Sequence, residues 1–259
     1  MSDFTPPYGY DTIIPLRNDH RLLRSDLMPP KIRSVNSVPL LFSEIERAGV
    51  DMPVVFAPLG DPAAPSGFMS VAVMGLVDTE NVFVDAEGRW ESGVYLPAYI
   101  RRMPFCTSFI EQDGQSRRLM CVEERVITDD LENSVSIFVD DQPTEAWTRT
   151  EQFVLGFEEQ IDVTNQAIKV LTDLKLIEGF ALNATMPDGS PLTFGGIGRI
   201  NEVALKALNA AQLRLLFDRG LMRLIYAHLL SIDRFPELLH RRVTRTGSPT
   251  EPIPQPQAA

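Results

Sequence analysis

The sequence predicts an α+β fold, with antiparallel β-hairpins in an N-terminal/central sheet, one long amphipathic helix and a C-terminal helical cluster. Three observations carry it. Asp113-Gly114 separates the runs Phe105–Glu111 and Arg117–Glu123, and an Asp-Gly pair between strand-like runs is a strong hairpin signal. Trp147, Val154, Phe157, Ile161, Ile168 and Leu171 recur at helical spacing, with Thr150 and Thr164 filling the missing steps. Near the C-terminus, Leu221–Ile232 is apolar on most faces, as expected for a buried helix.

The elements follow in order. Residues 1–30 read as an extended arm, because Pro6, Pro7, Pro15, Pro29 and Pro30 exclude regular helix. A single domain is expected over 31–242. Pro53–Ala57 and Phe68–Val77 read as strands joined by a surface loop from Asp61 to Gly67. Asn81–Asp85 is short, apolar and β-branched, which predicts another strand, and Gly88 permits the turn after it. Pro97 opens a single helical turn within Tyr95–Arg102. If Asp113-Gly114 is the hairpin turn, Cys106 faces Cys121 across the ladder with Cα atoms about 5.5 Å apart, and two buried thiols are expected. The long helix starts after Asp140-Asp-Gln-Pro143 and is expected to end near Gly179. Its apolar seam suits core packing better than oligomerisation, because threonines interrupt it.

Pro187-Asp-Gly189 signals a second hairpin. Gly195-Gly-Ile-Gly198 follows a candidate strand, Leu192–Phe194, and precedes a helix; it lacks the sixth-position glycine of a dinucleotide fingerprint and reads as a flexible connection, with an anion at that helix start as the alternative. Glu202–Leu208 and Ala210–Arg219 read as helices, and Gly220 terminates the second. Residues 243–259 have the composition of a disordered, proline-rich tail.

Composition narrows the function. With 44% hydrophobic residues, 259 residues can build a core without a metal or disulfide staple. A net charge of −11 argues against a nucleic-acid partner. The cation clusters at Arg101–Arg102, Arg117–Arg118 and Arg234–Arg245 read as solvated faces. The opening residues lack the pattern of a signal peptide, and the apolar stretch Phe68–Val77 is too short to span a membrane. A soluble, cytoplasmic chain is the expectation.

No catalytic constellation is recognisable. His20, His228 and His240 share no metal-ligand spacing, so neither metal nor cofactor is expected. His228, in an apolar helix, reads as a satisfied core residue. Binding residues are sought between Asn81 and Phe105, where rings and guanidinium groups crowd together. Asp85 is an acceptor for a ligand amine or hydroxyl, or else caps its own turn beside Arg89 and Trp90. Tyr95, Arg101 and Arg102 combine aromatic faces with arginine, a recognition device that also covers core edges. Asn36 adds an amide nearby.

Ser34–Leu40, Pro53–Ala57, Asn81–Trp90 and Tyr95–Phe105, with Cys121-Val-Glu123 and Leu224–Ser231, together resemble the SapC family of bacterial proteins. The polytopic peptide-transporter permease that shares this name does not fit the hydropathy. The resemblance implies an association with bacterial surface-layer gene clusters and with neighbouring TonB-dependent receptors and tryptophan-halogenase-like proteins. It supplies no catalytic residue. The reading is an accessory or assembly protein of the envelope or surface layer that binds protein or peptide through Asn36, Asp85, Arg89, Trp90, Tyr95, Arg101 and Arg102. The alternative is an enzyme or small-molecule binder acting on an amino-acid or peptide substrate near Asn36, Asp85 and Arg102.

Overall fold

The computed structural model describes residues 5–61, 64–112 and 115–246, and it is an α+β fold. The first strands are β1 (Ile13–Pro15), β2 (Arg21–Leu23) and β3 (Ser37–Pro39). A helical turn, α1 (Ile45–Ala48), precedes β4 (Val54–Leu59) and β5 (Gly67–Val73). Next come α2 (Ala98–Arg101), β6 (Phe105–Gln112), β7 (Gln115–Glu123), β8 (Ser134–Ser136), β9 (Phe138–Val139) and β10 (Gln142–Pro143). The long α3 (Glu145–Asp173) leads to the hairpin β11 (Ile177–Thr185) and β12 (Pro191–Ile200). Helices α4 (Glu202–Lys206), α5 (Ala210–Asp218), α6 (Leu221–Ile232) and α7 (Phe235–Thr246) close the chain.

The main sheet is antiparallel with strand order β11-β12-β4-β5-β3, and a smaller one has the order β1-β7-β6. Three consecutive residues of β4, Val54 to Phe56, are fully buried, as are Ala72 to Met74. Alternate strand residues face opposite sides, so the middle of the sheet is covered on both faces. Helix α3 packs along β5, and α6 along β4 and β12.

The β6–β7 register pairs Cys106 with Cys121, as the sequence predicts, and both thiols are free and buried. The expected turn residues, Asp113 and Gly114, lie outside the described residues. Burial pushes Cys106 up to about 12, aided by Cys121, and Cys121 up to about 11, so both remain protonated and unreactive at neutral pH. At the second hairpin, Pro187 is flanked by Met186, whose carbonyl accepts from Gly189 N, and Gly189 takes φ +82°.

Several boundaries differ from expectation for local reasons. Asn81–Asp85 is a turn, not a strand: Asn81 Oδ1 accepts from Phe83 N at 3.0 Å, and its Nδ2 donates to the Ile32 carbonyl. That side chain competes with ladder formation, leaving one bridge between Val84 and Trp90. Strand β5 ends at Val73, before the expected Val77. Helix α3 starts after Pro143, as expected, capped by Thr144, which accepts from Trp147 N; Pro143 itself belongs to β10 rather than to the first turn. Helix α3 stops at Asp173 because Lys175 adopts φ +54° and Leu176 is drawn wholly into the core; Gly179 lies in β11. The glycine run 195–198 is strand, not a connection. Gly196 takes φ +71° where the ladder bulges opposite Ala181, between the pairs Phe180–Ile197 and Leu182–Phe194.

Of the arm expected at 1–30, the described residues from 5 onward pack into the fold: β1 pairs with β7, β2 pairs with β8, and Tyr10, Ile13 and Leu22 are buried. Residues 243–246, read as the start of the tail, form the last turn of α7. The tail's remainder lies outside the described residues. Helix α7 also explains part of the basic cluster. Arg241 pairs with Glu91, Arg242 pairs with Glu80, and Arg245 Nη1 donates to the Asn81 carbonyl at 3.0 Å. Its Phe235 lies within 6.0 Å of Phe180 and 5.7 Å of Phe194, under the β11–β12 hairpin.

Among the described residues, the buried hydrophobic side chains form two clusters. The larger surrounds the main sheet; the smaller joins Leu22, Phe105, Val122 and Ile137 to Trp147 and Val154. Helix α3 serves both, with Phe157, Ile168 and Leu171 in the larger one. Its seam is core, as expected. Thr164 is satisfied there, accepting from Phe42 N at 2.9 Å and donating to the Gln160 carbonyl at 2.7 Å.

Strand β12 meets β4 at Gly198 opposite Phe56, where an added Cβ would stand 2.7 Å from Ile177 Cγ2. Two residues along, Ile200 and Val54 are bridged by the His228 imidazole. Nε2 accepts from Ile200 N at 3.0 Å, and Nδ1 donates to the Val54 carbonyl at 2.9 Å. Ser231 Oγ accepts from Val54 N at 3.0 Å. His228 is therefore a neutral core residue, as its apolar helix predicts, and burial, reinforced by the charge of Arg199, pushes its pKa down to about 4. Because the folded value lies below the unfolded one of about 6.5, its contribution is complete above pH 6.5 and is lost as pH falls towards 4. In denaturant titrations from pH 7 to 4, the wild-type chain should lose about 3 kcal/mol more stability than His228→Gln.

Candidate binding surface

The residues singled out between Asn81 and Phe105 divide into three groups. Asp85 caps its turn: Oδ1 accepts from Arg89 N at 2.7 Å, and Asp85 N donates to the Arg89 carbonyl. Arg89 is exposed and lies 3.7 Å from Asp26. Trp90 is half-buried, stacks on Phe83 at 5.7 Å and donates from Nε1 to the Val94 carbonyl.

Tyr95 and Arg101 meet at the buried carboxylate of Glu44. Glu44 Oε1 accepts from Tyr95 Oη and from Ala98 N, each at 2.6 Å, and Oε2 accepts from Leu41 N at 3.2 Å. Burial, followed by the bond to Glu44, pushes the Tyr95 phenol up to about 12. Arg101 lies 3.7 Å from Glu44 and crosses the rings of Tyr95 and Phe153, with much of its side chain still in solvent.

Arg102 points inward. Only 4% of it is exposed, and its guanidinium sits 4.5 Å from the Tyr99 ring centre, 4.4 Å from Phe157 and 5.6 Å from Tyr10. Nη1 donates to Glu158 at 2.7 Å. Tyr99 Oη donates to the Tyr8 carbonyl and Tyr10 Oη to the Phe105 carbonyl, so this arginine holds the N-terminal segment, α2 and α3 together. Asn36 is partly buried; its carbonyl accepts from Met74 N and Gly75 N, and its amide is 3.4 Å from Asp78. Among the described residues, no hydrogen bond, ion pair or ring contact joins Asn36, Asp85 and Arg102 into one site.

An open apolar surface lies on α6, which sequence reading takes as buried. Its inner face carries Leu221, Leu224, Ile225, His228 and Ser231. Its outer face is uncovered: Tyr226 is 54% exposed and Leu230 68%. With Met222 they form a stripe stepped every four residues, one face of a helix. Opposite stands Val50, at 61% exposure, after α1. Between them runs a groove of about 640 Å³, with the Glu46–Arg223 ion pair on one side and Asp233 and Arg234 also on its rim. The same pair borders a second hollow of about 310 Å³ beside Phe42 and Gly220. The signal for this surface in the sequence is an all-round apolar helix; periodicity leaves open which face lacks cover.

Among the described residues, no helix is long and apolar enough to cross a membrane, and no group of three or more His, Cys, Asp or Glu side chains could hold a metal ion. The family model for SapC matches residues 17–238. No curated protein and no solved structure matches the chain.

Removing the buried guanidinium strands Glu158 against the core. Arg102→Met should cost about 3 kcal/mol in a denaturant titration, and Arg102→Met with Glu158→Leu should recover most of that loss.

Proposed function

The chain belongs to the SapC family, and from that premise we propose that it is an accessory or assembly protein of the bacterial envelope or surface layer, acting by binding protein or peptide. The uncovered face of α6 is the observation that supports this reading. An apolar stripe beside a groove with a charged rim suits an apolar or amphipathic segment of another protein, which would bury Tyr226 and Leu230 while opposite charges orient it. Large rings of this kind are frequent energetic centres of protein contacts.

The surface expected from the sequence contributes less to this proposal. Arg102 is engaged within the core, and Asp85 caps its own turn, which leaves Asn36, Arg89, Trp90, Tyr95 and Arg101 as its accessible part. These residues form the comparison surface. The family resemblance directs the choice of partners to TonB-dependent receptors and tryptophan-halogenase-like proteins, each as a purified protein.

Tyr226→Asp combined with Leu230→Asp should leave thermal stability within about 0.5 kcal/mol, because both side chains are largely exposed. The same pair should weaken capture of a partner by at least about tenfold, as expected for loss of a buried ring. Trp90→Ala with Arg101→Ala should leave capture unchanged. Binding that survives the aspartates and fails in the second variant would move the contact to the Tyr95–Arg101 corner.

A further inference from the structure

We propose that a cleft between α3 and the strands β3 and β5 is a binding site for a small, uncharged, single-ring molecule, separate from the α6 groove. The cleft has a volume of about 160 Å³, close to that of the engineered 150 Å³ apolar cavity that admits benzene. Leu40, Leu41 and Ile168 are buried along it, and Tyr99 and Phe157 contribute two rings. Partly exposed Met69 and Ile161 stand towards solvent with exposed Asn165.

The chemistry of the wall selects the ligand. Each hydroxyl at the wall is already committed: Ser70 Oγ donates to the Leu40 carbonyl at 2.6 Å, Thr164 Oγ is bonded to Phe42 N and the Gln160 carbonyl, and Tyr99 Oη donates to Tyr8. What remains is hydrocarbon and aromatic surface, with one amide, Asn165, at the mouth. A charged ligand would lose its hydration here without compensation. A ring of six to nine heavy atoms with at most one neutral polar group towards Asn165 matches both volume and lining.

Arg102 packs against both rings of the wall. The guanidinium that pairs with Glu158 lies within 4.5 Å of both ring centres, those of Tyr99 and Phe157. It acts as a positioning residue for the two rings that the ligand would touch.

Titration of the full chain with toluene and p-cresol, followed by NMR of isoleucine methyl groups, tests the site directly. Ile161 and Ile168 should shift together and saturably, and Tm should rise by about 3 °C at ten times Kd. Benzoate should bind at least about tenfold more weakly than p-cresol. Ile161→Phe, which places a ring in the cleft, should keep the wild-type Tm or raise it and abolish both responses. Absence of methyl shifts in the wild-type chain would overturn the site. So would benzoate binding as tightly as p-cresol, or unchanged binding in a folded Ile161→Phe variant.

Discussion

The backbone of Val54 is held by a helix as well as by its neighbouring strands, and much of the architecture follows from that constraint. His228 and Ser231, three residues apart on α6, engage its carbonyl and amide. A peptide group buried this deeply cannot be left unpaired, so α6 is fixed in both position and rotation against β4. Fixing the rotation decides what the helix shows. With His228 and Ser231 turned inward beside Leu224 and Ile225, Tyr226 and Leu230 must face out. The open groove is thus a consequence of polar bonds on the opposite side of the same helix.

Buried charges give the Asn81–Phe105 region a second kind of definition. Glu44 gathers Leu41 N, Ala98 N and Tyr95 Oη, while Arg102 gathers three rings and Glu158. Any competing packing that separated these groups would leave a charge without its partner, and that cost disfavours it. The two aromatic walls of the cleft rest against Arg102.

Much of the fold was legible in the sequence because turn chemistry and helical spacing are local. Gly189 and the Trp147–Leu171 stripe sit where their patterns place them, and the Cys106–Cys121 register follows from the hairpin. The failures share a cause as well. Asn81 sits before β-branched residues, yet its amide folds back on Phe83 N, a competition invisible to strand propensity. Helix α7 was obscured by the proline-rich sequence after it. For the site, arginine among aromatic rings has the same composition whether it faces a partner or fills a core; burial alone separates Arg101 from Arg102. The exposure of α6 was illegible because a helix apolar on most faces carries no periodic mark of its free side.

Helix α3 has a mechanical implication. At 29 residues it is about 43 Å long, and it is gripped by one hydrophobic cluster near its beginning and by another along the rest. A rod clamped at two places cannot pivot in one without levering the other. Trp147 and Leu171, which belong to different hydrophobic clusters, are thereby tied to one continuous helix.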